Sequence, residues 1–418
     1  MFEATSHDRQ SLAHEVLARC QTLAGFSEDV GSIRRTFLSA PMRDCHREIA
    51  SWLAPFGVDT RIDGVGNLRG LYPAAAMPAP RLIIGSRLDT VPNAGAYDGV
   101  LGVVLGVALL SALGGRKLPY AIEIVGFSEE EGVRFATPFI GSRALVGRVD
   151  DSLLSRQDAA GVSVRQAIVD FGLNPASIAQ AAVREDILGY LEFHIEQGPV
   201  LENIGRPLGV VESIVGQSRL EFSFIGHANH AGTTPMNLRH DALAAAAEWI
   251  SVVERRAQTT SGLVATVGAI QAKPGAVNVI AGETRLSLDV RHRDDQGRNT
   301  AVDYFVRRAE EIAERRGLMV GWKVQVDQPA VPMDPPLVRR VEQAVHRAGC
   351  DPYRLVSGAG HDAMVMAAKF PSAMIFLRTP GGISHDPAEA VNVGDVARAI
   401  DCGFHLLEQW ATGSELQG

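Results

Sequence analysis

The sequence contains few cysteines, and they are widely separated. The four cysteines are Cys20, Cys45, Cys350 and Cys402, and none of them belongs to a C-x-x-C pair. This pattern excludes a disulfide framework and a zinc ribbon, and it fits a reducing compartment. Charged residues make up only 21% of the chain and aromatic residues 6%. Because no long polar tract is present either, wholesale disorder is excluded.

An excess of basic residues is also absent. The 418 residues include 40 lysines and arginines against 48 acidic residues, for a net charge of −8. A nucleic-acid binder normally presents a basic face, so we predict no nucleic-acid partner. The first residues lack the basic and apolar regions of a secretory signal, and the most apolar stretch, 100–113, is too short to span a bilayer. We therefore expect a cytoplasmic protein with no membrane partner.

Two common catalytic signatures are missing as well. The sequence has no G-x-S-x-G turn and no G-x-x-x-x-G-K-[ST] loop of the kind that binds phosphates. Their absence argues against a serine hydrolase and against a nucleotide-dependent enzyme.

The apolar residues, 46% of the chain, form strand-like runs that alternate with helical ones. We predict a helix over 99–113 and buried strands over 81–85, 120–127, 190–195 and 373–377. This alternation predicts an α/β fold with a mixed, mostly parallel sheet flanked by helices. Such sheets bind ligands beyond the carboxyl ends of their strands.

A different pattern begins after about residue 212. Strand patterns there alternate with two helical ones, in the order 218–225, 241–256 (helix), 263–270, 284–291, 301–316 (helix) and 318–326. This order predicts a small α+β sandwich inserted into a larger domain. We assign 1–212 and 329–418 to a catalytic metal-binding domain and 213–328 to an inserted dimerisation or lid domain.

Several acidic residues follow predicted strands. Asp89 and Asp98 lie in the stretch 85–102, and Glu130 and Glu131 belong to a run of three carboxylates. Each has an ordinary structural explanation, since Asp98 would suit a helix N-cap and an acidic run is usually solvated. The run nevertheless follows a buried strand, which favours a role in metal binding or proton transfer.

Histidines occur in the remaining motifs. His194 lies within an apolar strand, where a lone histidine is more often a core residue than a ligand. His227 and His230 lie in a loop before a helix, and His361 and His385 lie in glycine-rich loops that let the backbone approach a ligand. Asp, Glu and His at the ends of several strands together suit a Zn²⁺-like cation.

These motifs, in this order, resemble a known family. The chain is similar to the carbamoylase-type amidohydrolases, which comprise N-carbamoyl-L-amino-acid hydrolases, allantoate amidohydrolases and β-ureidopropionases of the dinuclear zinc aminopeptidase-like clan. The resemblance runs from about residue 30 to residue 412. It rests on D-T-V-P-N-A-G-A-Y-D-G, E-E-G-V-R-F, H-I-E-Q-G-P-V-L-E, A-N-H-A-G-T-T-P-M, N-V-I-A-G, D-V-R, S-G-A-G-H-D-A and G-I-S-H-D-P-A-E.

The resemblance implies a centre of two metal ions. Asp98 would bridge the two metals, Glu131 and His385 would complete one site, and His194 would belong to the other. Zinc or manganese would be the metal, with cobalt and nickel as further candidates. Such a metal lowers the pKa of its bound water to about 7 and so provides hydroxide at neutral pH.

The resemblance also implies three catalytic residues. Glu130 would be the general base that takes a proton from the attacking water. His230 would stabilise the oxyanion that forms at the amide carbon. Asp89 would lie behind the metal ligands as a supporting carboxylate.

Further residues would hold the substrate. The resemblance implies that Gln197, Asn278, Arg291 and His361 bind it, with the planar fork of Arg291 on its carboxylate. Relatives dimerise through the inserted domain, and His230 and Asn278 then reach the active site of the partner chain. We therefore predict a homodimer that acts on a small substrate with a carboxylate.

The chain departs from the family pattern at one position. Where the family has G-S-H-x-D, this sequence reads Gly85-Ser86-Arg87-Leu88-Asp89. A guanidinium offers no lone pair and repels a cation. We therefore predict at most one tightly bound metal per chain, held by the Asp98, Glu131 and His385 set. Arg87 would lie in or beside the other position and pair with Asp98, Asp89 or a substrate anion.

The leading functional hypothesis is a metal-dependent amidohydrolase. It would cleave the carbamoyl or ureido C–N bond of a small carboxylate such as an N-carbamoyl-L-amino acid, allantoate or ureidoglycolate. One alternative is an acyl-amino-acid deacylase or peptidase on the same fold, although H-I-E-Q-G-P and G-A-G-H-D-A favour the carbamoyl branch. The other is a binding homologue impaired by Arg87. The sequence names neither the substrate nor the metal.

Overall fold

The protein divides into two compact units. The computed structural model describes residues 6–183 and 186–412. One unit comprises the chain up to Glu212 and again from Met333, and the other is Ser213–Pro332. The sequence placed the second boundary at 328/329. The structure places it after Pro332, because Val331 and Pro332 form a short strand that pairs with Ile214 and Ser213.

The helices and strands are numbered along the described chain. The helices are α1 (Ser6–Ala24), α2 (Ala40–Leu53), α3 (Val100–Ala112), α4 (Ile140–Leu145), α5 (Asp151–Leu154), α6 (Val164–Asp170), α7 (Val200–Asn203), α8 (Ala242–Thr259), α9 (Asp295–Arg315), α10 (Pro335–Arg347), α11 (Asp362–Met366) and α12 (Val393–Ala411). Over 6–183 and 186–412, no helix combines the length and the hydrophobicity that crossing a membrane requires.

The strands are β1 (Asp59–Ile62), β2 (Leu68–Tyr72), β3 (Arg81–Arg87), β4 (Ala121–Phe127), β5 (Ile187–Ile195), β6 (Leu208–Ile214), β7 (Gly216–Ile225), β8 (Asn229–His230), β9 (Val264–Thr266), β10 (Ile270–Lys273), β11 (Val279–Ile280), β12 (Glu283–His292), β13 (Met319–Gln328), β14 (Val331–Pro332), β15 (Arg354–Ser357) and β16 (Ser372–Leu377).

The first unit is built on a mixed sheet with the strand order β1–β2–β4–β3–β5–β16–β6. The four central strands, β4, β3, β5 and β16, are mutually parallel, whereas β1 and β2 on one side and β6 on the other pair antiparallel. In the register, Ile84 lies opposite Ile124 on one side and Leu191 on the other. The predicted α/β class is confirmed, with the parallel pairing concentrated at the centre of the sheet.

Helix α3 lies against this sheet and positions Asp98, which precedes its first residue. Its residues from Val100 to Leu110 are all buried, because the helix packs on β3 and β5 and is covered by α1 and α12. Gly102 permits this close approach, since a Cβ there would lie 2.2 Å from the carbonyl oxygen of Phe193. The N-terminus of α3, preceded by Asp98, is thereby held at the carboxyl ends of the parallel strands.

The second unit is an antiparallel sheet with two helices. Its strand order is β10–β12–β7–β13, with β9 also paired to β12, and α8 and α9 enclose a core that includes Phe222, Trp249 and Phe305. The single strand predicted over 263–270 is wrong. The segment contributes to two strands, β9 and β10, which pair with different parts of β12. Between these two strands, the Ala269 amide donates to Ser287 Oγ at 3.0 Å.

A buried ion pair supports the first sheet. The Glu123 carboxylate on β4 receives Arg69 Nε at 2.7 Å and Arg81 Nη1 at 2.7 Å. Burial opposes ionisation, but the two guanidinium groups outweigh it and lower the pKa of Glu123. A buried charge of this kind is costly to leave without its partner.

We expect Glu123→Gln to lower the free energy of unfolding at pH 7 by about 3–5 kcal/mol, because two buried guanidinium groups lose their counter-charge. Since the folded pKa lies below the unfolded value of about 4.3, the Glu123 contribution is present above that pH and is lost as the pH falls. Urea unfolding is followed by circular dichroism at several pH values between 7 and 3. The difference in free energy of unfolding between wild type and Glu123→Gln should become smaller as the pH falls. The exposed Glu254→Gln is the control, and an equal effect of both substitutions would contradict the argument.

Candidate active site

The functional side chains predicted from the first unit gather at one edge of the sheet. Asp89 follows β3, Glu130 and Glu131 follow β4, and His194 lies at the end of β5. His385 comes from the loop after β16. Because β4, β3, β5 and β16 are parallel neighbours, their carboxyl ends open on the same side, which is where α/β sheets bind ligands.

One potential metal group consists of Asp98, Glu131 and His385, whose ligand atoms all lie within 4.8 Å of one another. His385 Nε2 is 3.2 Å from Asp98 Oδ2 and 3.6 Å from Glu131 Oε1. The hydrogen bond to Asp98 and the charge of that carboxylate raise the pKa of His385. These are the residues that the sequence proposed for one metal site.

A second potential metal group consists of Glu192, His194 and His361. Sequence reasoning assigned His361 to the substrate and missed Glu192, although a carboxylate inside the apolar strand 190–195 was an available signal. The two imidazole rings lie 4.4 Å apart, centre to centre. Glu192 accepts hydrogen bonds from Tyr190 Oη and the Ala363 amide, both at 2.9 Å. Burial raises the pKa of Glu192 to about 7.

The tautomer of His194 follows from its hydrogen bond. Its Nδ1 donates to the carbonyl oxygen of Ile195 at 2.9 Å, which leaves the Nε2 lone pair 3.3 Å from Asp98 Oδ1. Burial lowers the pKa of His194 to about 4, so the ring is neutral at neutral pH. Two acceptor atoms facing each other at this distance form a donor set suited to a cation.

Arg87, however, already provides the positive charge of the site. Its Nη2 lies 2.7 Å from Asp98 Oδ2 and 2.6 Å from Glu131 Oε1, and its Nε lies 3.1 Å from Glu130 Oε2. From the sequence, Asp98 was one of the partners expected for Arg87. In the structure the guanidinium contacts carboxylate oxygens of both Asp98 and Glu131, two members of the set proposed for one metal. The donor types suit two metal ions, but with Arg87 in this position the residues do not fit them.

The carboxylates of the site outnumber its cations. Burial would raise the pKa of Asp98, but Arg87 and the two neighbouring histidines hold it well below its ordinary value. Burial raises the pKa of Glu130 well above its ordinary value; Arg87 opposes this shift, and the nearby carboxylates of Glu131 and Asp362 add to it. A raised pKa is what a general base working near neutral pH requires.

Asp89 organises the loop that carries the other carboxylates. Its Oδ1 accepts from the Glu130 amide and its Oδ2 from the Glu131 amide, each at 3.0 Å. Its backbone oxygen accepts from Arg87 Nη1 at 3.0 Å. This arrangement is consistent with the supporting role that the resemblance implied for Asp89.

Two further residues hold Asp98. Gln197 donates through Nε2 to both carboxylate oxygens of Asp98 at 3.1 Å, so its amide faces the predicted metal ligand. Glu389, which sequence reasoning did not select, accepts from the Tyr97 and Asp98 amides through Oε1 at 2.9 Å. Its place in the quoted motif G-I-S-H-D-P-A-E was the only local signal for this role.

Three predicted site residues belong to the second unit. His230 and Asn278 are brought together there, because β8 pairs with β11 and the Asn278 carbonyl accepts from the Ala231 amide at 2.9 Å. The Gly232 amide donates to His230 Nδ1 at 3.0 Å. In the neutral ring, Nε2 therefore carries the proton, which is the form that can donate to an oxyanion.

Arg291 has a partner that the sequence did not suggest. On β12, its Nε and Nη2 donate to the Asp289 carboxylate at 2.9 and 3.2 Å. Gln217 and Arg219 donate to the same carboxylate at 2.7 and 3.0 Å. The guanidinium is thus held in a fixed orientation before any substrate is considered.

Carboxylates and imidazoles gathered at the carboxyl ends of a parallel sheet are a donor set of the kind that metal-dependent enzymes use. The chain belongs to peptidase family M20/M25/M40, whose model matches residues 85–409. Within this family it is a member of the hydantoinase/carbamoylase subgroup, as its relatives show. The resemblance stated from the sequence motifs is confirmed.

The relatives match over nearly the whole chain. An allantoate deiminase from Arabidopsis thaliana is 36% identical over 442 residues, covering 97% of this chain and 84% of the relative. An N-carbamoyl-L-amino acid amidohydrolase from Geobacillus stearothermophilus is 36% identical over 386 residues, covering 92% and 94%. A crystal structure of a hydantoinase/carbamoylase family amidase from Burkholderia multivorans has a TM-score of 0.89 at 29% identity, covering 96% and 98%.

Proposed function

We propose that the protein hydrolyses the carbamoyl or ureido C–N bond of a small substrate that carries a carboxylate. The observation that carries the proposal is the convergence of Glu130, Asp98, His194 and His385 at one sheet edge in a chain of the carbamoylase subgroup. Allantoate and N-carbamoyl amino acids, the compounds for which two relatives are named, both combine a ureido group with a carboxylate.

In this proposal, each residue acts through its own chemistry. Glu130 accepts a proton from the water that attacks the ureido carbon and returns a proton to the leaving nitrogen. His230 donates from Nε2 to the oxygen that becomes negatively charged. No step is assigned to a metal, because Arg87 contacts the carboxylate oxygens that a metal would need.

The substrate carboxylate is assigned to Arg291. Its planar guanidinium suits a two-point contact with a carboxylate, and Asp289 holds it in place. Gln197, Asn278 and His361 are proposed as further substrate contacts, as the family resemblance implies. The substrate class therefore combines an anionic end with a neutral ureido end.

The direct test is ammonia release from a panel of ureido acids. Allantoate, ureidoglycolate and several N-carbamoyl-L-amino acids should be supplied to the wild-type protein and to Arg87→His, with N-acetyl amino acids and a dipeptide as comparison substrates. Ammonia release from at least one ureido acid supports the proposal. Hydrolysis of the acyl or peptide substrates alone would identify a deacylase or peptidase instead.

Arg87 favours a second candidate function, that of a catalytically impaired binding homologue. The guanidinium forms ion pairs with Asp98, Glu130 and Glu131, which are the proposed base and ligand carboxylates. A binding protein would retain the substrate contacts and release no ammonia. Calorimetric binding of a ureido acid to wild type without turnover would establish this candidate.

We expect Glu130→Gln to reduce turnover by about 10²–10⁴-fold in whichever background, wild type or Arg87→His, releases ammonia, because it removes the proton acceptor. The fold should be preserved, which circular dichroism can verify. Glu254→Gln, an exposed glutamate substitution on α8, is the control and should leave the rate unchanged. Turnover of Glu130→Gln within tenfold of its background would reject Glu130 as the base.

For Arg291→Lys, we expect KM to rise about tenfold or more with a smaller effect on kcat, because a point charge replaces a two-point contact. The matched control is Arg285→Lys on the same strand, whose guanidinium pairs with Glu283. If KM and kcat/KM stay the same in both variants, the carboxylate is bound elsewhere.

We further propose that the chain forms a homodimer through its second unit. Strand β13 is an edge strand of that sheet and exposes Met319, Trp322 and Val324. Exposed apolar residues on an edge strand are typical of an interaction surface.

Hybrid dimers can test whether His230 serves the partner chain. Mixing inactive His230→Ala with inactive Glu130→Gln should restore partial ammonia release, because one of the two hybrid sites then has both groups intact. Hybrid formation must be shown with two distinguishable affinity tags. Hybrids that form without any recovered activity would refute donation across the dimer.

A further inference from the structure

We propose that the Arg87 guanidinium is the resident cation of this site and excludes tightly bound divalent metal from both ligand groups. The sequence alone predicted at most one tightly bound metal, held by Asp98, Glu131 and His385. The inference narrows that prediction to none and concerns metal binding only, so it does not depend on the substrate or on turnover.

The first support is that each guanidinium nitrogen lies close to an oxygen atom of the site, through ion pairs for Nη2 and Nε and a hydrogen bond for Nη1. Nη2 reaches Asp98 Oδ2 at 2.7 Å and Glu131 Oε1 at 2.6 Å, Nε reaches Glu130 Oε2 at 3.1 Å, and Nη1 donates to the Asp89 carbonyl at 3.0 Å. The Arg87 side chain is only 4% exposed. Charge-assisted contacts in a buried position hold a side chain firmly.

The second support is that the backbone makes room for this side chain. Gly99 has φ +70°, and a Cβ at that position would lie 2.1 Å from Arg87 Cγ. The stem of Arg87 thus runs directly over the turn that carries Asp98 into α3. The position of the guanidinium is therefore determined by packing as well as by charge.

The third support is competition for the same atoms. Asp98 Oδ2 and Glu131 Oε1, which Arg87 Nη2 contacts, are also the oxygens nearest to His385 Nε2. Asp98 in addition faces His194 through Oδ1, so it belongs to the surroundings of both ligand groups. A metal needs the lone pairs of these oxygens, and it would have to approach a fixed positive charge. The observed Arg87 position therefore excludes a metal from the Asp98, Glu131 and His385 group directly, and its charge repels a metal that would use Asp98 together with His194.

The test is a metal count on the full-length protein. Wild type, Arg87→Gln and Arg87→His are stripped with a chelator, dialysed against excess Zn²⁺ or Mn²⁺, desalted and analysed by inductively coupled plasma mass spectrometry. We expect less than about 0.2 metal per chain for wild type, about one for Arg87→Gln and about two for Arg87→His, since a histidine restores a ligand to the second position. Only the variants should show a melting temperature that rises with metal concentration.

Two controls make the result specific. Arg116→His introduces a histidine at an exposed arginine that pairs with Glu408, and it should leave the metal count at the wild-type level. Adding Asp98→Asn to Arg87→His should abolish the gain, because both ligand groups face Asp98. Circular dichroism verifies that each variant is folded, and the wild-type count stands on its own if a variant is not.

The outcomes are decisive in both directions. One or two equivalents retained by wild type would overturn the proposal, and so would an unchanged count in folded Arg87→His. The metal count needs no substrate, so the exclusion of metal can be confirmed even if the protein hydrolyses no ureido acid. Equally, ammonia release can be found in a protein that retains metal.

Discussion

The ion pairs of Arg87 are the interaction on which the rest of the site depends. The sheet brings Asp98, Glu130 and Glu131 close to one another. Among the described residues, no arginine or lysine other than Arg87 forms an ion pair with them. Three buried carboxylates repel one another unless a cation lies between them. The guanidinium is that cation in this structure.

The sheet explains why the carboxylates meet at all. Four parallel strands end at one edge, and α3 begins there because Gly102 lets the helix lie close against β5. Asp89 then ties the loop after β4 to the loop after β3 through two backbone amides. The cluster is therefore a consequence of backbone pairing and helix packing, before any side-chain chemistry is considered.

A single guanidinium also sets the electrostatic character of the site. Its charge keeps Asp98 ionised, but it does not compensate all of the surrounding carboxylates, and burial raises the pKa of Glu131 as well as that of Glu130. The family architecture is retained around a different source of positive charge. Membership of the carbamoylase subgroup and the chemistry of this particular centre are consequently separate questions.

The sequence by itself determined the family, the fold class and most central elements. Strands such as 81–85 and 120–127 were predictable because residues buried on both faces leave a continuous apolar run. The antiparallel strands β1, β2 and β6 were not predicted, since β1 and β2 are short and both β2 and β6 pair with strands far away in the chain. The replacement of a histidine by Arg87 was also visible from the motif alone.

The sequence offered Asp98 among the possible partners of Arg87, but only the tertiary structure decided that Arg87 contacts Asp98, Glu130 and Glu131 together. Local sequence gives no distance between residue 87 and residues 98, 130 or 131, because those distances follow from strand register and from the packing of α3. For the same reason, two residues were not predicted from the sequence. Glu192 forms a potential metal group with His194 and His361, and Asp289 accepts a hydrogen bond from Arg291. Motifs identify which side chains are available, whereas strand pairing and helix packing between distant parts of the chain decide which of them contact one another.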